Sequence, residues 1–340
     1  MKPDLSFQAS GALLLTGAYA LLEPGGMGIA FPWPPRVDVS ARPSEHWQLT
    51  VRDAHGQRGL DVTTVAEVAE GALPEIRPQD LSLDFGAHPA TSTSAILAIA
   101  IAREATPAEL WDDWPSLQRR ALALHHTLQG GLGSGYDVLI AGLRRPALLE
   151  RPKTTPSRVE LAPITHRVLA VAGALAEAAS GEAPAGVASD AGIRLLVAQH
   201  NTRVPTRHLL RTYRSNRERS PERVAELVAV SRRVANEVAR ALEEGQLTLV
   251  RAAFAALPHI HETLQALLDG QYINANGRAG LDAARELGIA ATPSGAGADT
   301  LVALHDDPER LARLDRSWSS LGFHTTLSSA DWPGSRQAPN

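Results

Sequence analysis

The sequence predicts an α+β protein built as two packed domains. Three observations carry this expectation. The chain has 340 residues, more than one hydrophobic core usually serves. Its first quarter reads as short strands punctuated by Gly and Pro. From Ser92 to Glu104, and again in several stretches beyond Ser220, apolar residues follow a helical pattern.

Strand candidates in the first quarter are Ala12 to Leu15, Ile29 to Phe31, Val37 to Ser40 and His46 to Arg52. From Ser92 to Glu104 the pattern is helical and almost wholly apolar, as expected of a helix buried between layers. A second helix is expected after Pro107, running to about Gln129. The polar stretch from Pro152 to Ser157 ends this part, and strand-like residues resume at Val159 to Leu161 and Ile164. The domain boundary is therefore placed between 160 and 185, giving domains over 1–170 and 171–332 and a disordered tail over 333–340.

In the second domain, Ile193 to Ala198 reads as a strand. Ser220-Pro221-Glu222 is a helix start with Pro at the first helical position. An apolar stripe from Val224 to Leu242 then holds helical spacing up to Gly245. Leu247 to Leu268 is a helix bent or broken at Pro258, and Ala279 to Leu287 a shorter one closed by Gly288. A strand, a Gly-rich turn and a strand follow over Ile289 to Leu304, then a helix from Pro308 to Leu321.

Composition bounds the chemistry. Hydrophobic residues make up 44% and charged residues 21%, ordinary for a globular chain. Aromatics are only 4%, so Ala, Leu and Val fill most of the interior. A formal charge of -4 gives no basic field for duplex nucleic acid, so any anion site is local. The absence of cysteine excludes disulfides, thiolate catalysis and Cys-ligated metal. The apolar run from Gly11 to Leu22 is too short to span a bilayer, and Glu23 closes it. A single Lys2 against Asp4, with no small-residue cleavage site, argues against a signal peptide. A cytoplasmic protein without a membrane partner is expected.

Three separated stretches carry candidate chemistry: Gly11-Ala12-Leu13-Leu14-Leu15-Thr16-Gly17-Ala18-Tyr19, Gly130-Gly131-Leu132-Gly133-Ser134-Gly135-Tyr136-Asp137-Val138 and Pro293-Ser294-Gly295-Ala296-Gly297-Ala298-Asp299. Asp137 follows a Gly-rich segment where backbone can approach a phosphate closely, so its carboxylate can orient a nucleophile, a metal or a cation. An Asp there can equally cap the next helix without chemistry. The small residues of the third stretch leave backbone N–H groups free to face an anion, although a tight hairpin has the same composition.

Together, and in this order, the three stretches resemble the signature of the phosphomevalonate kinases in the GHMP kinase superfamily. His125 and Gln129-Gly130 precede the Gly-Ser-Gly turn, Leu287-Gly288 precedes the late loop and Trp318 to Gly322 follows it, as in that family. The resemblance implies the two-domain GHMP kinase fold, with a strand-rich N-terminal domain holding the nucleotide site and a helix-rich, ferredoxin-like C-terminal domain. It further implies ATP and Mg2+ as cofactors and transfer of the γ-phosphoryl to 5-phosphomevalonate. A phosphate acceptor is already ionised near neutral pH, so Asp137 would orient rather than accept a proton. A mevalonate or other small-alcohol kinase, and a metabolite-binding protein without catalysis, are the alternatives.

Residue by residue, Asp137 and Ser134 are the catalytic candidates. Thr91, Ser92, Thr93 and Ser94 are expected at nucleotide phosphates, with Ser94 also a candidate Mg2+ ligand. Tyr19, Gly295, Ala296, Gly297, Arg207 and Arg211 are expected at the substrate, with Tyr19 equally suited to be a core aromatic at a strand end. Two motifs depart from the family. Ser10-Gly11-Ala12 replaces Pro-Gly-Lys and lacks its ammonium. Ala90-Thr91-Ser92-Thr93-Ser94-Ala95 replaces Gly-Leu-Gly-Ser-Ser-Ala, keeping hydroxyls without glycines. A Ser/Thr-rich helix N-terminus still offers N–H groups to an anion, or simply caps a core helix.

An arginine run, Arg203, Arg207, Arg211, Arg214, Arg217 and Arg219, surrounds Pro205. With a helix starting near Pro205, Arg207, Arg211 and Arg214 share one face, suited either to a phosphorylated substrate or to solvent. Asn201-Thr202-Arg203-Val204-Pro205 is similar to a mevalonate kinase segment, which leaves the subfamily open. His259 and His261 are rotated by about 200° on a helix and are not expected to share a metal.

Overall fold

A computed structural model describes residues 5–53, 56–59, 79–86, 92–107, 110, 113–143, 145–153, 164–169, 194–200, 206–297 and 299–327. The chain divides into two compact units, one of residues 1–12 and 32–144, the other of residues 13–31 and 145–340.

The first unit is a sheet backed by helices. Its strands are β1 (Leu5–Thr16, here to residue 12), which pairs with β2, together with β2 (Met27–Pro43, here from residue 32), β3 (Gln48–Asp53), β4 (Gly56–Gly59) and β5 (Gln79–Asp84). The last four run in the order β4-β3-β5-β2, with β3 and β5 parallel and the other neighbours antiparallel. The candidates at Ile29 to Phe31 and Val37 to Ser40 are thus parts of one strand: Pro32 and the prolines at 34 and 35 do not end it. Along β5 buried and half-buried residues alternate, the signature of a sheet with one covered face.

Helix α1 (Thr93–Glu104) supplies most of the cover. Every residue from Ala95 to Ala102 is buried, which explains the lack of a polar face in the sequence. It packs against α2 (Trp114–Leu128) and α3 (Tyr136–Leu143), and Leu117, Ala121, Leu124, Val138 and Ala141 close the core. Helix α2 begins at Trp114, later than Pro107 implied, because Asp113 provides the N-cap, accepting from the Ser116 N–H. Gly142 lets α3 approach α2 closely: a Cβ there would lie 1.6 Å from the Trp114 ring.

The second unit contains a four-stranded antiparallel sheet of order β11-β8-β10-β9, formed by β8 (Arg194–Gln199), β9 (Ala290–Pro293), β10 (Thr300–His305) and β11 (His324–Leu327). Helices α4 (Thr206–Arg217), α5 (Pro221–Glu243), α6 (Leu247–Phe254), α7 (Leu257–Leu267), α8 (Ala275–Glu286) and α9 (Pro308–Ser320) accompany it. This is the helix-rich, ferredoxin-like pattern expected of the C-terminal half. β6 (Ala147–Glu150) pairs antiparallel with residues 27–30 of β2 and with β7 (Thr165–Val168).

Local signals set most boundaries. The break expected at Pro258 is real: α6 ends at Phe254 and α7 restarts at Leu257 with Pro in its first turn, where no amide donor is needed. Helix α8 starts at Ala275, before the expected Ala279, because Asn274 caps it through the Gly277 N–H. Asp307 caps α9 by accepting from Glu309 and Arg310. Ser220 precedes α5 but makes no side-chain capping bond. Trp318 anchors α9 by donating its indole N–H to Gly280 O at 2.8 Å inside the core. The expected boundary between 160 and 185, the strand-like Val159 to Leu161, the Asn201 to Pro205 segment with Arg203, and the tail lie largely or wholly outside the described residues.

Candidate functional site

Two sets of candidate residues are assembled, one in each unit. In the first unit the Gly-rich turn between α2 and α3 bends through positive φ at Gly130, Gly131 and Gly135, at 68°, 78° and 78°, a region that favours glycine. That turn starts α3 so that Asp137 is its second residue, 9% exposed. The Asp137 carboxylate accepts from the Val138 N–H at 3.1 Å. Its other oxygen lies 3.2 Å from His125 Nε2, an ion-pair distance across two buried side chains. Neither His125 ring nitrogen makes a hydrogen bond. Ser134 sits half-buried in the same turn.

The hydroxyls before and within α1 have distinct fates. Ser94 accepts from Gln129 Nε2 at 2.8 Å, while Gln129 Oε1 is buried without a hydrogen-bond partner. This ties the Ser/Thr segment to the Gly-rich turn, a link the sequence did not single out. Ser92 is the N-cap residue of α1, but it makes no side-chain capping bond. Its hydroxyl instead accepts from Ala12 N at 3.0 Å and faces Ala12 O at 3.3 Å. Ser92 adopts φ 55° and ψ 29°, a left-handed conformation that costs a non-glycine residue about 1–2 kcal/mol. This is the position where the resembled motif carries Gly. Thr93, half-buried, opens the helix; Ala90 and Thr91 lie outside the described residues.

In the second unit the loop after β9 is fixed at both ends. Ser294 Oγ accepts from Leu14 N at 3.0 Å, and the Tyr19 hydroxyl donates to Ala296 O at 2.6 Å. Gly295, Ala296 and Gly297 remain half-buried, and a Cβ on Gly297 would lie 3.1 Å from Leu209 on α4. Tyr19 is 5% exposed and has φ 61°. The sequence left Tyr19 to the substrate or to the core; the structure buries it, and its hydroxyl holds the loop that the sequence assigned to the substrate.

Three of the four tyrosines meet here. Tyr19 lies 4.9 Å from Tyr213 and 6.2 Å from Tyr272 between ring centroids. Burial pushes all three phenols well above their ordinary range, so their hydroxyls keep their protons. Glu23, which closed the apolar run in the sequence, is buried beside them and pairs with Arg217 Nη1 at 3.1 Å. Nothing in the spacing of these residues announced the cluster; only the fold brings positions 19, 23, 213, 217 and 272 together.

Helix α4 bears out the arginine spacing. Arg207, Arg211 and Arg214 are exposed, while Leu209, Leu210 and Tyr213 face the core. Arg217, half-buried, pairs with the buried Glu23 instead. The two histidines of α7 take separate partners: His259 Nε2 pairs with Glu226 at 2.7 Å, and His261 Nε2 lies 3.3 Å from Thr292 Oγ1. Among the described residues no group of three or more His, Cys, Asp or Glu is arranged to hold a metal, and no helix is long and apolar enough to cross a membrane.

No protein-family model matches the chain. No curated protein matches it in sequence. Solved structures do match in fold. The Lin0012 protein from Listeria innocua is 15% identical with a TM-score of 0.69, covering 95% of this chain and 97% of that one. Streptococcus pneumoniae phosphomevalonate kinase in complex with phosphomevalonate and AMPPNP is 15% identical with a TM-score of 0.65, covering 95% and 99%. L. major mevalonate kinase in complex with R-mevalonate is 13% identical with a TM-score of 0.65, covering 95% of each chain. The chain therefore has the fold of the GHMP small-molecule kinases.

Proposed function

We propose that the protein is a GHMP-type small-molecule kinase that transfers the γ-phosphoryl of ATP to a phosphorylated acceptor of the 5-phosphomevalonate type. The observation that carries this reading is Asp137, buried at the start of α3 beside His125, behind a turn whose glycines adopt positive φ. The fold it shares with a phosphomevalonate kinase and a mevalonate kinase supports the class. The order of the three motifs favours the phosphorylated acceptor over the alcohol.

In this reading Asp137 orients the reacting group, and Ser134 lines the turn beside it. A phosphate oxygen needs no strong base, so positioning and charge neutralisation supply the catalysis. The nucleotide phosphates are assigned to the segment of Thr91, Ser92, Thr93 and Ser94, in which Ser92 has to release Ala12 before its hydroxyl is free. Gly295, Ala296 and Gly297 present backbone to the acceptor, Tyr19 holds them, and Arg207 and Arg211 take its phosphate. Ser94 Oγ and the unpartnered Gln129 Oε1 are hard oxygen donors, compatible with Mg2+. Bound with ATP, Mg2+ neutralises phosphate charge.

Nucleotide consumption measured separately with 5-phosphomevalonate, with mevalonate and without acceptor tests the proposal. Consumption only with 5-phosphomevalonate is expected. Consumption with mevalonate instead assigns the protein to the alcohol kinases.

A second reading, a metabolite-binding protein without catalysis, is favoured by the Ser92–Ala12 pair, which engages a hydroxyl expected at phosphate, and by the absent Lys at Ala12. Failure of Mg-ATP to bind at millimolar concentration in calorimetry, with or without acceptor, selects it.

A further inference from the structure

The second unit holds a half-open cavity of about 470 Å³ made of none of the residues assigned above. It lies among α6, α7, α8 and β9, and its size falls within the range of small-molecule sites. Phe254, Leu257, Ile273, Leu281 and Ile289 give it apolar walls. His261 adds to them: burial lowers its imidazole to about 4, so it is neutral near pH 7.

Five charged side chains surround these walls, Arg251, Glu262, Arg278, Asp282 and Arg285. Arg285 pairs with Asp282 at 2.8 Å on the surface. Arg251 uses Nη2 toward His305 Nε2 and, at 3.5 Å, toward Asp306. Its Nε is buried and has no hydrogen-bond partner. Arg278 is exposed, with only a 3.4 Å contact to Ile273 O. Arg251 and Arg285 are thus engaged by Asp306 and Asp282, and among the described residues Arg278 is left without an ion-pair partner, one cation for a monoanion, while Glu262 and Asp282 disfavour a dianion.

We propose that this cavity binds a small carboxylic acid with an apolar body, its carboxylate meeting Arg278 and its chain lying against Phe254, Leu257 and Leu281. The occupant is a ligand additional to the substrates of the kinase reading, and the proposal stands whether or not that reading holds.

Calorimetry on the full chain with octanoate, 1-octanol and octyl phosphate tests it, with no phosphoryl transfer involved. Octanoate is expected to bind about tenfold or more tightly than octanol, the scale of one charge-assisted contact. Arg278→Met, at an exposed position, should reduce octanoate to the octanol level, and Leu281→Trp, which fills the cavity, should weaken both. No octanoate binding at millimolar concentration overturns the proposal. So does equal binding of octanoate and octanol, tighter binding of octyl phosphate than octanoate, or octanoate binding unchanged in Arg278→Met.

Discussion

Asp137 Oδ2 and His125 Nε2 face each other at 3.2 Å, both side chains buried, one at the start of α3 and the other near the end of α2. A surface capping aspartate needs no such neighbour. Asp137→Asn keeps the shape and removes the charge. It should leave the circular dichroism spectrum and melting temperature close to those of the parent while lowering turnover at least about tenfold, roughly 1.4 kcal/mol in barrier height. Unchanged turnover in a folded variant removes Asp137 from the mechanism.

Ser92 combines a left-handed backbone with two contacts to Ala12. Ser92→Gly removes the Cβ strain and releases the Ala12 N–H. The strain relieved and the bond lost are each on the order of 1 kcal/mol, so stability should change little. The nucleotide-dependent rise in melting temperature should grow, because ligand affinity for the native state sets that rise. Ala12→Lys is a harder restoration, since the Ala12 side chain is 4% exposed. A Ser92→Gly variant with an unaltered Mg-ATP shift would show that this contact does not limit nucleotide binding.

The Tyr19 hydroxyl bonded to Ala296 O separates positioning from mere packing. Tyr19→Phe retains the tilted ring contact with Tyr213 and loses one part-buried hydrogen bond, at a stability cost of about 1 kcal/mol. If the loop presents its backbone to the acceptor, the acceptor KM should rise several-fold with little change in the KM for ATP. A stability loss with both constants unchanged would confine Tyr19 to packing.

Arg207 has an exposed guanidinium on the outer face of α4, whereas Arg217 on the same helix is consumed by Glu23. Arg207→Ala should raise the acceptor KM about tenfold, the scale of a charge-assisted hydrogen bond, and leave melting temperature unchanged. Equal effects on acceptor and ATP, or none, would return α4 to a solvated surface.

His261 gives a pH signature. Its folded-state value is lowered to about 4 by burial, against about 6.5 in an unfolded chain. Between these values the unfolded chain binds the extra proton, so stability is full above about pH 6.5 and falls as pH drops toward 4, by at most about 3 kcal/mol. Urea melts from pH 4 to 7 should show this slope, and His261→Gln should flatten it. An identical slope in the variant would place the titration elsewhere.

The sequence by itself determined the elements whose causes are local. The wholly apolar Ala95 to Ala102 run reads as a buried helix, Pro258 marks a bend or break that the structure shows as the gap between α6 and α7, and the Ile289 to Leu304 stretch reads as the strand, turn and strand that form β9 and β10. It also determined which face of α4 carries Arg207, Arg211 and Arg214, because 3.6-residue spacing is a property of the chain alone. It failed where the deciding group was a single cap, as at Asp113 and Asn274, which moved helix starts by several residues.

Only the tertiary structure decided which polar groups are occupied. Ser92, Ser94 and Tyr19 look alike in sequence as available hydroxyls. The fold gives Ser92 to Ala12, Ser94 to Gln129 and Tyr19 to Ala296. It also buries Glu23 against Arg217 and gathers three tyrosines from positions 19, 213 and 272. A hydroxyl or carboxylate has the same pattern in sequence whether it faces a ligand or a backbone amide. Its partner is set by contacts between residues distant along the chain, and these exist only once helices and sheets have packed.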